Sequence, residues 1–300
     1  MKIAVLIPTM FDNKNELLRL LDSLNKTVKN KAMIDLYIWI NDCPDEKSGR
    51  SRQELLADSY RLDRNKIVHT HRNCGYTGSL NKLFELAGSS GGYHWYLTIN
   101  DDAAVDPGFY SQLLNVTADA WSPAVRDAKG KLESIGLTYS RSGLSFPATA
   151  PYAGEVNRML CGTCLALSGK TVQSLNERYG YIFQPLFFAY AEDVELSLRL
   201  KKLGLNYKIS NTPLVTHWKS TTLKRGSEKQ LYFGFRNLIM TAIIHWKFSE
   251  FVFRLPWALT GLGYMTALSF YKGYFLLPFK VIGAIFKRLP LLMRHRKEVS

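Results

Sequence analysis

Asn100-Asp101-Asp102 follows the apolar run Trp95-Tyr96-Leu97-Thr98-Ile99. Two adjacent carboxylates at a strand end repel each other, so a counter-charge is expected nearby. A hard divalent cation, Mg²⁺ or Mn²⁺, suits such oxygen ligands and keeps sites for water and substrate phosphate. An acidic turn ahead of a helix starting near Pro107-Gly-Phe accounts for the same residues without a metal. Glu192-Asp193 opens an amphipathic stretch, where the helix N-terminal field stabilises carboxylates whether or not they do chemistry. His217, in Thr216-His-Trp-Lys-Ser220, follows an apolar run and reads either as a hydrogen-bonded structural imidazole or as a metal ligand. Asn73-Cys-Gly-Tyr-Thr-Gly-Ser-Leu-Asn81 sets two glycines and small hydroxyls before a helix, an arrangement that favours phosphate. It is neither a P-loop nor a G-x-G-x-x-G fingerprint.

The elements that would position these groups alternate up to about residue 120. Lys2–Pro8 is a short, almost wholly apolar run, as a strand buried on both faces should be. Leu17, Leu18, Leu20, Leu21 and Leu24 recur at helical spacing within Asn13–Lys26. Leu36–Ile40, Lys66–Thr70 and Tyr93–Ile99 read as further strands, and Ser51–Leu62 and Thr77–Ala87 as further helices. Such alternation predicts an α/β fold with right-handed crossovers and a mostly parallel sheet covered on both sides. Ligands of such sheets bind beyond the carboxyl ends of the strands. Those ends carry Pro8-Thr9-Met10, Asn41-Asp42-Cys43, Arg72-Asn73-Cys74-Gly75 and Asn100-Asp101-Asp102. Later the pattern loosens. Residues 122–158 read as a connecting region, Met159–Leu167 as a strand, and Glu192–Leu203 as a helix stopped by Gly204. Tyr207–Ile209 and Leu214–His217 are short strand candidates, and Glu228–Trp246 is another helix.

The chain has 300 residues and a formal charge of +14, which points to an anionic partner. Residues 251–300 hold eight Lys or Arg against one acid, Glu298, a concentration that argues against a folded nucleic-acid-binding face. Leu255–Tyr271 is seventeen uncharged residues, but Pro256, Gly261 and Gly263 fall within it. It reads as an interfacial helix, with a spanning hairpin or a soluble helical subdomain as the competing readings. Cys161-Gly-Thr-Cys164 has no second ligand pair for zinc, so Cys43, Cys74, Cys161 and Cys164 read as free thiols. The N terminus lacks a cleavage pattern and reads as a first strand rather than a signal peptide, which implies a reducing compartment.

Taken in order, IPTM, NDCPDE, NCGYTGSLN, INDDAAVDPGF, FFAYAEDVELSLRLKKLG and THWKS resemble family 2 glycosyltransferases of the GT-A fold. The nearest subgroup is the rhamnosyltransferase-like one that makes bacterial surface polysaccharides such as O-antigen. The resemblance spans roughly residues 1–240. It implies a Rossmann-like catalytic domain over 1–225 and a basic, apolar, membrane-associating helical region over 226–300. It further implies inverting transfer from a UDP- or dTDP-sugar to a glycan hydroxyl, with a polyprenyl-diphosphate-linked acceptor. By position, Pro8 and Thr9 would line the nucleotide pocket and Asp42 would contact base or ribose. Asn73, Gly78 and Asn81 would lie beside nucleotide and sugar. Asp102 would ligate Mg²⁺ or Mn²⁺, Asp101 would stand near the donor, and His217 would complete the metal site. Asp193 would be the catalytic base. Asn41 and Asn100 stand where many relatives carry Asp. The expected location is the cytoplasmic face of the inner membrane, with an anionic membrane surface as partner and no nucleic acid. The competing functions are an inactive sugar-nucleotide-binding protein and a sugar-nucleotide pyrophosphorylase. The latter needs a Gly-rich basic loop after the first strand, and Pro8-Thr-Met-Phe-Asp12 is not one.

Overall fold

The computed structural model describes residues 1–27, 33–218 and 226–299. Lys219 and Ser220 of the THWKS motif, and the expected domain boundary at 225, lie outside them. From the amino terminus the chain runs β1 (Ile3–Thr9), α1 (Lys14–Thr27), β2 (Ile34–Ile40), α2 (Glu46–Tyr60), β3 (Ile67–His69), α3 (Gly75–Ser90) and β4 (Trp95–Ile99). The expected alternation is present, and these four strands are parallel in the order β3-β2-β1-β4.

The second half continues as β5 (Ala103–Val105), α4 (Phe109–Leu114), β6 (Ala120–Asp127), β7 (Leu132–Ser134), β8 (Leu137–Tyr139), β9 (Ser145–Pro147), β10 (Arg158–Met159) and β11 (Cys164–Ser168). Then come α5 (Gly169–Tyr179), α6 (Glu192–Lys202), β12 (Tyr207–His217), α7 (Glu228–His245), α8 (Phe248–Tyr271) and α9 (Leu277–Val299). The main sheet extends beyond β4 as β11-β6-β12-β5, with β7 paired to β6. β11 is antiparallel to both β4 and β6, and β12 is parallel to β6 but antiparallel to β5. The sheet is therefore mixed rather than mostly parallel. An apolar run buried on both faces reads the same in either direction, so strand polarity was invisible in the pattern.

Two further expectations change, while the short strand-like pieces expected in residues 122–158 are present. Met159–Leu167 is not one strand but β10 and β11, which belong to different sheets. The turn through Cys161-Gly162-Thr163 separates them. The two short candidates near residue 210 form one irregular strand, β12, with register shifts on either side of Pro213. The connecting region contains β6, β7 and a small sheet of order β10-β8-β9.

The core lies on both faces of the sheet. Ile3, Val5 and Ile7 of β1 join one apolar cluster and Ala4 and Leu6 the other, as the two-residue strand period dictates. Leu17, Leu20, Leu21 and Leu24 of α1, with Phe109 and Leu113 of α4, close the first face. Leu80, Leu83 and Phe84 of α3, with Leu196 and Leu200 of α6, close the second. Truncating any one of these to Ala would cost about 2–5 kcal/mol. All four cysteines are free, with Cys43, Cys161 and Cys164 buried.

At the carboxyl end, α9 packs along α7, and Leu292 and Val299 share an apolar cluster with Met240, Ile244 and Phe187. Its other side is open: Phe279 and Phe286 of α9, with Phe253 and Leu259 of α8 and Phe275 between them, are exposed. Among the described residues no helix is long and apolar enough to cross a membrane. Pro256 sits inside α8 and Pro290 inside α9, while Lys272 and Lys280 interrupt the apolar sequence.

Candidate active site

β1 and β4 are neighbours, so Thr9 and the Asn100-Asp101-Asp102 turn emerge side by side at the carboxyl edge of the sheet. Thr9 Oγ1 donates to Asp101 Oδ2 at 2.6 Å. Burial pushes the Asp101 carboxyl up to about 7 against that hydrogen bond, with Asp102 and Glu16 adding repulsion. His217 reaches the same turn because β12 pairs with β5, setting His217 opposite Ala103. Trp218 N donates to the Asp102 carbonyl at 2.9 Å, fixing that register. His217 Nε2 lies 3.2 Å from Asp102 Oδ1, and its Nδ1 lies 3.4 Å from the Glu133 carboxylate. Burial alone would lower the His217 pKa; the hydrogen bonds to Asp102 and Glu133 instead lift it to about 9.

The opposite wall comes from α6. Asp193 Oδ2 accepts from Gly162 N and Oδ1 from Val194 N, both at 2.8 Å. Burial raises the Asp193 pKa, and these two backbone N–H groups oppose the rise. Its neighbour Glu192 is pushed up to about 8 by burial and by the Asp193 charge. Burial thus raises both carboxyls of this adjacent pair. The helix start is not the only group that favours the Asp193 carboxylate; the Gly162 contact comes from the turn between β10 and β11. β11 runs antiparallel to β4 with Cys164 opposite Ile99, which brings Gly162 beside Asn100. The Tyr76 hydroxyl ties the two walls, 2.8 Å from Asn100 Oδ1 and 3.1 Å from the Gly162 carbonyl. Burial, then the charges of Glu192, Asp193 and Asp102, raise its phenol far above the usual range.

On the β2 and β3 side, Asn41 Nδ2 donates to Asn73 Oδ1 at 2.9 Å and Asn41 Oδ1 accepts from Cys74 N at 3.0 Å. Asn73 Nδ2 is 3.4 Å from Asp42 Oδ2, and Asp42 has a left-handed backbone, φ 58°. Pro8 is buried within β1, opposite Trp39 of β2. Helix α3 starts at Gly75, two residues earlier than the spacing predicts, so Gly78 lies in its first turn and not in a loop ahead of it. Gly75 itself needs its missing Cβ: φ is +71°, and a Cβ would sit 2.4 Å from the Phe188 carbonyl. Asn81 is committed at both ends of its amide to the Phe183 backbone, 2.8 and 2.9 Å away.

The structure thus brings Thr9, Asp101, Asp102 and His217 together, links them to Asp193 through Asn100, Tyr76 and Gly162, and gathers Asp42 and Asn73 with Asn41. Gly78 and Asn81 are helix residues packed against their neighbours. Sequence reasoning missed Tyr76, Gly162, Glu133 and Glu16. Tyr76 lay inside a motif read for its glycines, Gly162 inside a pair read for its thiols, and Glu133 in the supposed connecting region.

Asp102 and His217 are the side chains of this wall that would hold a divalent cation, with His217 giving up its proton to do so. Asp102 Oδ1 and His217 Nε2 point at one another across 3.2 Å, with Glu16 and Asp101 adding negative field. Among the described residues no three His, Cys, Asp or Glu side chains form a ready-made cage. Glu133 occupies the other edge of the imidazole, the position from which a carboxylate sets the tautomer of a metal-ligating histidine. Two protein ligands with the rest from phosphate and water is the usual arrangement for Mg²⁺.

Comparison with known proteins places this geometry. Among curated proteins none matches. Solved structures share the fold. One is GalNAc-T7 with UDP, GalNAc and Mn²⁺, at TM-score 0.61 and 13% identity over 83% of this chain and 48% of that one. This chain therefore spans about half the length of that protein. S. aureus TarS 1–349 aligns at TM-score 0.55 and 16% identity over 100% of this chain and 88% of that one. The mannosyltransferase PcManGT from Pyrobaculum calidifontis, in complex with GDP-Man and Mn²⁺, aligns at 0.54 and 16% over 96% and 87%. All three leave the mixed α/β sheet GT-A-like. The family profile described as glycosyl transferase family 2 matches residues 4–168, more than half the chain and all of the β1–β4 edge that carries the Asp101–Asp102 turn. The protein belongs to glycosyl transferase family 2.

Proposed function

We propose that the protein is an inverting glycosyltransferase that moves a sugar from a nucleoside-diphosphate sugar to a hydroxyl of a glycan acceptor. The observation that carries this reading is the chain of contacts that runs from Asp193 through Gly162 and Tyr76 to Asn100, beside the Asp102–His217 pair. Thr9, Asp42 and Asn73 hold the nucleotide side. Asp102 and His217 would hold Mg²⁺ or Mn²⁺, which would supply positive charge against the departing diphosphate. GalNAc-T7 with UDP and Mn²⁺, TarS with UDP-GlcNAc and PcManGT with GDP-Man make a uridine or guanosine donor the first to try. A hydroxyl is a poor nucleophile at neutral pH, so Asp193 takes its proton as it attacks. Attack from the face opposite the leaving diphosphate inverts the anomeric centre in one displacement. NMR of the first-formed product should show the anomeric configuration opposite to the donor's; retention would rule the single displacement out.

In this reading the acceptor is carried on a polyprenyl diphosphate, as in the rhamnosyltransferase-like subgroup, and the enzyme works at the cytoplasmic face of the membrane. Exposed aromatic side chains on α8 and α9, beside Lys272, Lys280, Lys287 and Arg288, support an interfacial seat. Each cation near an anionic leaflet adds about 1 kcal/mol to apolar burial. The full chain should float with phosphatidylglycerol vesicles, bind phosphatidylcholine vesicles much less, and be partly released by high salt. Flotation with neither would sink the membrane seat. The full chain is needed, because removing residues 251–300 would uncover Phe187, Met240 and Ile244.

A further inference from the structure

Immediately before Glu192-Asp193, the backbones of Tyr190 and Ala191 are both left-handed, φ 72° and 62°. Neither is glycine, so the surroundings must hold them there. Helix α7 supplies the hold. Asn237 is fully buried, and its Nδ2 donates to the carbonyls of Ala189 and Tyr190, each at 2.8 Å. Its Oδ1 accepts from Arg236 Nε at 2.9 Å, which fixes the amide's orientation. Arg236 is itself buried; its Nη2 reaches the Leu186 carbonyl at 3.4 Å and its guanidinium covers the Phe233 ring. Phe233 in turn stacks on Phe188 with centroids 4.8 Å apart. From the other side α3 grips the same segment, with Thr77 N donating to the Phe188 carbonyl at 3.3 Å and Thr77 Oγ1 to that of Phe187.

We infer that Asn237, oriented by Arg236, is a positioning residue for Asp193, holding the left-handed pair from which α6 starts so that the carboxylate meets Gly162. The inference rests on reading Asp193 as the base. Without the Asn237 N–H groups, Tyr190 and Ala191 can relax toward right-handed backbone. That turns the first residues of α6 and carries the carboxylate away from the acceptor. Helix α7 then belongs to the catalytic unit, although it lies beyond the matched family profile, which stops at residue 168.

The test compares Asn237→Ala with the near-isosteric Asn237→Asp, which keeps the partner of Arg236 but loses both donors. A displacement of this kind should lower kcat by about 10²-fold, with affinity for UDP (or for GDP, should the wild type bind that instead) unchanged. Amide hydrogen exchange should quicken over residues 189–194 and stay unaltered in the β-sheet. Ala191→Gly removes the steric penalty of the left-handed backbone, so Asn237→Ala/Ala191→Gly should regain much of the lost turnover. The inference is overturned by normal kcat in both single variants, by nucleotide affinity falling in step with kcat, or by unchanged exchange over 189–194. Should both variants misfold, Arg236→Lys, which removes the Nε contact that orients Asn237 along with the guanidinium's reach to Leu186, must show the same kcat loss and faster local exchange, or the inference fails. The exchange readout needs no activity, so it judges the clamp even if Asp193→Asn retains turnover and the base assignment falls.

Discussion

Asp193→Asn should leave the affinity for donor where it is and reduce turnover by about 10²–10⁴-fold, the usual weight of a general base. The amide keeps one oxygen to accept from Gly162 N or Val194 N, so the local fold survives while the proton acceptor is gone. The pH dependence follows from the direction of the shift. Burial holds the Asp193 pKa above its ordinary 3.8 despite its two N–H partners. The base works only when ionised, so wild-type turnover falls as pH drops through that raised value. In the variant this acid limb should disappear. Weakened donor binding with intact turnover per bound donor would make Asp193 a binding residue instead.

Asp102→Ala should lower metal-assisted transfer by about 10³-fold, since Lewis-acid stabilisation of a leaving phosphate is worth several kcal/mol. It should also change stability in a way that needs no substrate. The His217 pKa is raised from 6.5 to about 9, so its ion pairs stabilise the fold fully below pH 6.5 and lose that effect as pH rises through about 9. With Asp102 gone the imidazole keeps Glu133 but loses its partner at 3.2 Å. The Tm of the wild type should therefore decline between pH 6.5 and 9 more steeply than that of the variant. Equal slopes would mean the Asp102–His217 contact does not form.

Legibility in the sequence followed distance along the chain. The first four strands and three helices were readable because each apolar run ends at a polar turn, and those turns are the sheet edge that holds Thr9, Asn41 and Asp101. Asp193 and His217 were readable only through ordered motifs, since a helix start and a lone histidine carry no chemistry by themselves. The contacts that define the site cross large separations. Gly162 reaches Asp193 because β11 returns antiparallel beside β4, and Glu133 reaches His217 through β7. Pairing direction is set by tertiary packing and leaves no mark on hydrophobic period. The split of Met159–Leu167 into two strands was hidden for a related reason: a turn of small and apolar residues reads as continued strand. Arg236 and Asn237 sat in Glu228–Trp246, which the pattern marks only as a helix.

The central claim is that Asp102 and Asp193 frame a metal-assisted sugar-nucleotide site. The most direct test is release of nucleoside diphosphate by the full chain from UDP-, dTDP- and GDP-sugars, with and without Mn²⁺. The account predicts that at least one donor is slowly hydrolysed in the presence of metal, that chelation stops it, and that Asp102→Ala lacks it. A folded protein that neither binds nor hydrolyses any of these donors, or hydrolysis equally fast in Asp102→Ala, would contradict it.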